Sequence, residues 1–219
     1  MQGKAIQSAD PLASTRNESV TERDTTQTRV DLFQQIGTIA RTSTRGLTMG
    51  LLTRNDFTSL QALYTTQLRY LLSTENQILN GLEEMIEHAD DEQLKQAFQS
   101  HRQETEVHVT RLNQLIGDVA NDVDDRKDPI LTAIAGSGKN ITKETDSGPI
   151  RDAGLIATAQ KIEHYEIASY GSARDWATHL GLTEHAATLQ ATLDEEKHAD
   201  ALLSKISQRA NRDASTVAA

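Results

Sequence analysis

The sequence contains no cysteine, which excludes disulfides, zinc–thiolate sites, iron–sulfur clusters and thiol nucleophiles together. Any metal must then be held by carboxylate and imidazole. No stretch reaches the roughly 18 consecutive apolar residues that a membrane span needs, and the opening "MQGKAIQSADPLASTRNESV" has no apolar core of the kind a secretory leader carries. A soluble, cytoplasmic protein is the expectation. Positive charge is short as well: 22 Lys and Arg against 32 Asp and Glu give a formal net charge of −10. Such a field opposes tight binding to nucleic-acid phosphates or anionic lipid, where counterion release needs clustered cations. Neither nucleic acid nor membrane is expected as a partner. Gly-rich dinucleotide fingerprints and nucleophile elbows are missing too, and "AIAGSGKN" has Ala133 and Asn140 where a phosphate loop needs Gly and Ser or Thr.

What is present reads as helices. The 219 residues, 37% of them hydrophobic, suffice for one domain with a core and appendages. Residues 1–45 are rich in Thr, Ser, Gln and mixed charge and read as a disordered arm, in which "VDLFQQIGTIA" is suited to ordering on a protein partner. At its junction, "GLTMGLLTR" is an apolar island that could pack on the rest of the chain or dock elsewhere. From residue 46 to 209 the pattern predicts a helical bundle, with 210–219 as a flexible tail.

Leu60, Tyr64, Leu68, Leu71, Ile78, Leu82 and Met85 share one face at a 3.6-residue period, which predicts a helix over 58–88. In "EHADDEQL", Asp90 followed by Gln93 has the form of a helix N-cap with its reciprocal partner, opening a second helix over 91–116 with Leu94, Phe98, Leu112 and Leu115 inward. Residues 117–150 are too long for a turn and predict a crossover carrying a short helix entered through "DP". A third helix over 152–180 is ended by Gly181, and a fourth over 183–209 is capped by Thr183. Short, long and short connections predict an all-α fold, a ferritin-like antiparallel four-helix bundle with one long crossover between its second and third helices.

Acid and imidazole interrupt the apolar stripes. Glu75 sits between Leu71 and Ile78, where an unpaired carboxylate would cost several kcal/mol. His101, Glu104 and His108 follow Phe98 on the inner face of the second helix, Glu163 and Glu166 lie between Ile162 and Tyr170 on the third, and Glu195 or Glu196 continues the row of Leu189 and Leu193 on the fourth. Glu195 with His198 forms an E-x-x-H pair. All lie near mid-helix, so one core layer can gather the inventory of a dinuclear carboxylate site. His108 and His198 are open between ligand, support and surface positions. Tyr70, His108 and Tyr170 are candidates to hydrogen-bond the ligands from behind. A metal-free, hydrogen-bonded polar layer is the competing reading.

"LRYLLSTENQIL", "FQSHRQETEVHVTRL" and the stretch from "IRDAGLIATAQKIEHYEIASY" to "LDEEKHADALL" resemble the ferritin-like stress proteins of the YciE/YciF type, over about residues 58–207. The H-x-x-E-T of His101 to Thr105, the E-H-Y-E-I-A of Glu163 to Ala168 and the E-E-K before Asp200 carry the resemblance. It implies a di-iron site, with Glu75, His101, Glu104, Glu163, Glu166 and Glu195 or Glu196 as ligands, and a homodimer. The chain departs from the family pattern before the first acid, where it has Tyr70 and Leu72. The functional expectation is a non-haem protein with two iron ions, or manganese or a mixed pair, reacting with dioxygen or peroxide. The alternative is a stress-induced structural or interaction protein.

Overall fold

The computed structural model describes residues 57–120 and 126–217. Among these residues the chain forms five helices and no strand: α1 (Leu60–His88), α2 (Glu92–Val119), α3 (Pro129–Glu144), α4 (Pro149–His179) and α5 (Thr183–Ser215). The fold is a ferritin-like all-α bundle. The expected arm and its apolar island lie outside the described residues.

The four long helices pack as a ring, α1 on α2, α2 on α5, α5 on α4 and α4 on α1. Short linkers make α1 and α2, and α4 and α5, antiparallel pairs. Side chains at the helix ends fix how the pairs sit together. Asp152, in the first turn of α4, accepts from the backbone N–H groups of Asp90 (2.9 Å) and Asp91 (3.0 Å) in the α1–α2 turn. Near the end of α5, Arg209 donates to Asp91 at the start of α2. Each of α4 and α5 therefore runs antiparallel to its neighbour in the other pair.

Caps and ends differ from the sequence expectation in instructive ways. Asp91, not Asp90, caps α2, its Oδ1 accepting from Gln93 and Leu94 N–H at 2.9 Å each, while Asp90 accepts from Gly148 N–H. Helix α4 starts at Pro149, earlier than residue 152, because Pro at the first helical position needs no N–H partner. Thr183 is the first residue of α5 and not its cap; Leu182 holds that position without a side-chain bond. Gly181 does end the preceding turn, with φ of 73°. Its N–H donates to Thr178 O (3.1 Å) and that of Leu182 to Ala177 O (2.9 Å), the paired bonds of a Schellman motif. Helix α5 continues to Ser215, into the stretch expected as a tail, and buries Ile206 and Ala210.

The crossover helix α3 lies across α1 and α4. Its N-cap is Asp128, whose Oδ1 accepts from Ile130 (2.8 Å) and Leu131 (3.1 Å) N–H. Its other oxygen accepts from Thr74 Oγ1 (2.9 Å) on α1 and from the Tyr165 hydroxyl (2.5 Å) on α4. Two glycines let α3 approach α4 closely: a Cβ at Gly138 would lie 2.7 Å from Thr158 Cγ2, and one at Gly154 would lie 2.4 Å from Ile141 Cγ2.

The core is two apolar layers. One holds Ile78, Leu82, Leu94, Phe98, Leu155 and Leu203; the other holds Tyr64, Leu68, Leu71, Leu112, Leu189 and Leu193. Each such side chain contributes about 1.5–3 kcal/mol on burial. Between the two layers, at mid-helix on all four long helices, lie Glu75, His101, His108, Glu163, Glu166 and Glu196.

Candidate metal centre

Glu75, His101, His108, Glu163, Glu166 and Glu196 are all buried, with Glu75, His108, Glu166 and Glu196 at 0% exposure. They form two interlocked groups, His101 with Glu163, Glu166 and Glu196, and Glu75 with His108 and Glu196. Within each group one ligand atom per residue lies within 4.8 Å of the others, and Glu196 belongs to both.

Distances inside the cluster are short without being hydrogen bonds. His108 Nδ1 lies 3.1 Å from Glu196 Oε1 and 3.4 Å from Glu75 Oε1, yet makes no hydrogen bond. His101 Nε2 lies 3.4 Å from Glu163 Oε1 and 3.8 Å from Glu196 Oε2. Both oxygens of Glu166, both of Glu196, and Oε2 of Glu75 and of Glu163 are buried without a partner. Buried polar atoms are ordinarily satisfied. So many orphans converging on one place are what a carboxylate and imidazole site for a hard or borderline cation leaves open, and the donor set fits such an ion.

Around the cluster, other side chains hold these ligand candidates in position. Tyr170 donates its hydroxyl to Glu75 Oε1. His108 Nε2 lies 2.9 Å from Glu195 Oε2, and Glu195 is gripped by Arg111, with Nη2 to Oε1 at 3.1 Å and Nη1 to Oε2. Arg111 Nη1 also donates to Thr192 Oγ1 at 3.0 Å. The paired carboxylate takes the N–H at Nε2, and the other ring nitrogen faces Glu75 and Glu196.

Glu196 is thus the inward acid and Glu195 the outer support. His108, open in the sequence between ligand, support and surface positions, lies in one group with Glu75 and Glu196. Glu104 stays at the rim: its side chain is 38% exposed, 3.6 Å from His101 Nδ1. His198 is exposed, and the E-x-x-H pairing does not bring it into either group. Tyr70 is half-buried, with no hydrogen bond to the cluster among the described residues. Arg111, Thr192 and Asp128 escaped the sequence reading. For Arg111 a signal existed, one turn after His108 on the same face, but its partner on α5 could not be read from one helix.

Proton affinities follow from crowding four acids in a dry layer. Burial, with the neighbouring Glu196 and Glu75 adding and His101 opposing, pushes the Glu163 carboxyl up to about 8. Burial likewise raises Glu75, against the nearby His108 imidazole, and raises Glu166 well above the usual range, reinforced by Glu196, Glu75 and Glu163. Burial alone would lower the two histidines, but the surrounding carboxylates prevail and lift His101 to about 9 and His108 to about 11. Without a cation, Glu75, Glu163, Glu166 and both imidazoles therefore bind protons more tightly than the free side chains do.

Comparison with known proteins agrees with this architecture. A family model described as a domain of unknown function (DUF892) matches residues 59–215. The protein YciF of Escherichia coli K12 is 35% identical over 135 residues, which cover 61% of this chain and 81% of that protein. The crystal structure of the E. coli stress protein YciF superimposes with a TM-score of 0.68 at 31% identity, covering 71% of this chain and 98% of that one. YcfI of Rhodopseudomonas palustris, provisionally described as a structural protein, gives a TM-score of 0.66 at 30% identity, over 77% of this chain and 100% of its own. The chain belongs to the DUF892 family, that of the YciE/YciF-type ferritin-like proteins.

Proposed function

We propose that the buried cluster is a dinuclear metal centre in a stress-response protein that reacts with dioxygen or peroxide, with iron as the metal and manganese or a mixed pair as alternatives. The observation that carries this reading is the sharing of Glu196 between two ligand groups in which both oxygens of Glu166 and Glu196, Oε2 of Glu75 and Glu163, and Nδ1 of His108 are buried without a hydrogen-bond partner. Charge supports it: the ionised Glu75, Glu163, Glu166 and Glu196 balance two divalent cations, with His101 and His108 bound as neutral imidazoles. Iron bound by these residues would supply the electrons that reduce dioxygen or peroxide.

The chain's own residues perform the supporting work. Tyr170 fixes the Glu75 carboxylate, Arg111 and Glu195 fix the ring of His108, and the two apolar layers close off the cluster along the bundle axis. Glu163 and Glu166 give up protons when a cation arrives, so loading is linked to proton release. A homodimer is the working unit proposed on the family resemblance.

A second reading, a structural protein with a metal-free polar layer, is favoured by the description of the R. palustris relative. Elemental analysis of protein purified without a metal-affinity tag separates the two, followed by anaerobic titration with Fe(II). About two ions per chain support the metal centre. No stoichiometric metal and no uptake would leave the acids a structural layer.

A further inference from the structure

A cavity of about 50 Å³ lies between α1, α3 and α4 and ends on His101 and Glu163. Its walls include Ile78, Leu82, Leu131, Leu155, Ala159 and Ile162, and the exposed Lys139–Glu84 ion pair (3.1 Å) lines its solvent end. A single water needs only about 10–15 Å³, but it also needs polar partners, and away from Gln77, Thr142 and the two ends these walls are apolar. Gly81 on α1 lines the same space. Its φ is not positive and a Cβ there would meet nothing within 4 Å. A helix-interior glycine lowers helix stability relative to alanine, and neither backbone conformation nor close packing requires this one. What it does is leave the cavity open. A separate, more polar opening between α2 and α5, lined by Ser100, Glu104 and His198, reaches the same His101 and Glu163.

We propose that the α1–α3–α4 cavity is a binding site for a small, uncharged, apolar molecule of dioxygen's class, which it holds against the His101–Glu163 face of the cluster. Delivery of that molecule to the cluster rests on the metal-centre reading, whereas the binding site itself does not require a metal. Size, apolar lining and a blind end on the ligand candidates select such a molecule over ions and hydrated solutes, for which the opening beside Glu104 and His198 is better suited.

Xenon is the probe, applied under pressure to the full-length, metal-free protein and followed by NMR. Saturable uptake is expected in the wild type and its loss in Gly81→Leu, which fills the cavity while keeping a good helix former. Ala135→Leu fills the same space from α3 and serves if the first variant does not fold. In iron-loaded protein, the filled variant should keep its metal content and oxidise in air several-fold more slowly. Absent xenon uptake, or uptake untouched by a folded filling variant, overturns the binding site. Lost xenon uptake with unchanged oxidation overturns the delivery role and points to the opening beside Glu104. A wild type that takes up xenon but no iron would sink the metal-centre reading and leave the cavity established.

Discussion

His108 and Glu195 are joined across α2 and α5, Nε2 to Oε2 at 2.9 Å, and that bond decides which way the imidazole serves. Because Arg111 grips the same carboxylate, the ring is held with Nδ1 toward Glu75 and Glu196. Replacing Glu195 by Gln, or Arg111 by Ala, should lower metal affinity about 10–100-fold while leaving the helices formed. Competition with a chelator of known affinity measures this, and an unchanged affinity would remove the pair from any supporting role.

Glu75→Leu tests the acid in both roles. The variant should retain no stoichiometric metal, and its metal-free form should be less stable than the metal-free wild type by about 3–5 kcal/mol, because the Tyr170 hydroxyl loses its acceptor and the buried His108 loses one of its counter-charges. Urea unfolding of both chelator-treated proteins provides the comparison. A more stable variant would mean that the desolvation of the acid outweighs both contacts.

The metal-free protein should weaken as pH rises. Glu163 titrates near 4.5 when unfolded and about 8 when folded, and His101 near 6.5 and about 9. Both have raised folded values, so the folded state holds more protons, and their stabilisation is complete below the unfolded values and lost on passing through the folded ones. Chelator-treated protein should therefore lose stability between pH 5 and 9, as about two denaturation series at the ends of that range would show. Metal uptake should run the other way, tightening as pH rises and the ligands lose protons. Stability that climbs with pH in the stripped protein would contradict the protonated cluster.

Asp128 is the anchor of the crossover helix. Asp128→Ala removes an N-cap and leaves Thr74 and Tyr165 without their shared acceptor, an expected cost of about 2–4 kcal/mol. Amide exchange should quicken first in α3 and only later in the bundle. Uniform acceleration across all helices would show that α3 unfolds with the whole.

Much of this was legible because the 3.6 period is a strong signal: the four long helices and the inward acids Glu75, Glu163 and Glu166 can be read from their apolar neighbours. Adjacent residues were harder. Asp90 and Asp91 both qualify as caps, and only the fold shows one committed to Gly148 N–H and the other to α2. Glu195 and Glu196 differ by one helical step, and the choice rests on Arg111, a residue more than eighty positions away in the chain. Helix α4 is buried both toward the bundle and toward α3, so the two glycines that admit α3, Gly138 and Gly154, have a meaning that no single-helix pattern contains.

Placing the acids between two apolar layers also fixes alignment. If any long helix slipped by one turn, about 5.4 Å, its carboxylate would enter a layer of leucine and its leucines would enter the layer of charge. Such a slip breaks no backbone hydrogen bond and uncovers apolar surface only at the helix ends, so hydrophobic burial resists it less than the mispaired charge does. The cluster makes it costly. Glu75, His101, Glu163 and Glu196 thus act as index marks on four otherwise similar rods, and they set the bundle's register before any ion arrives.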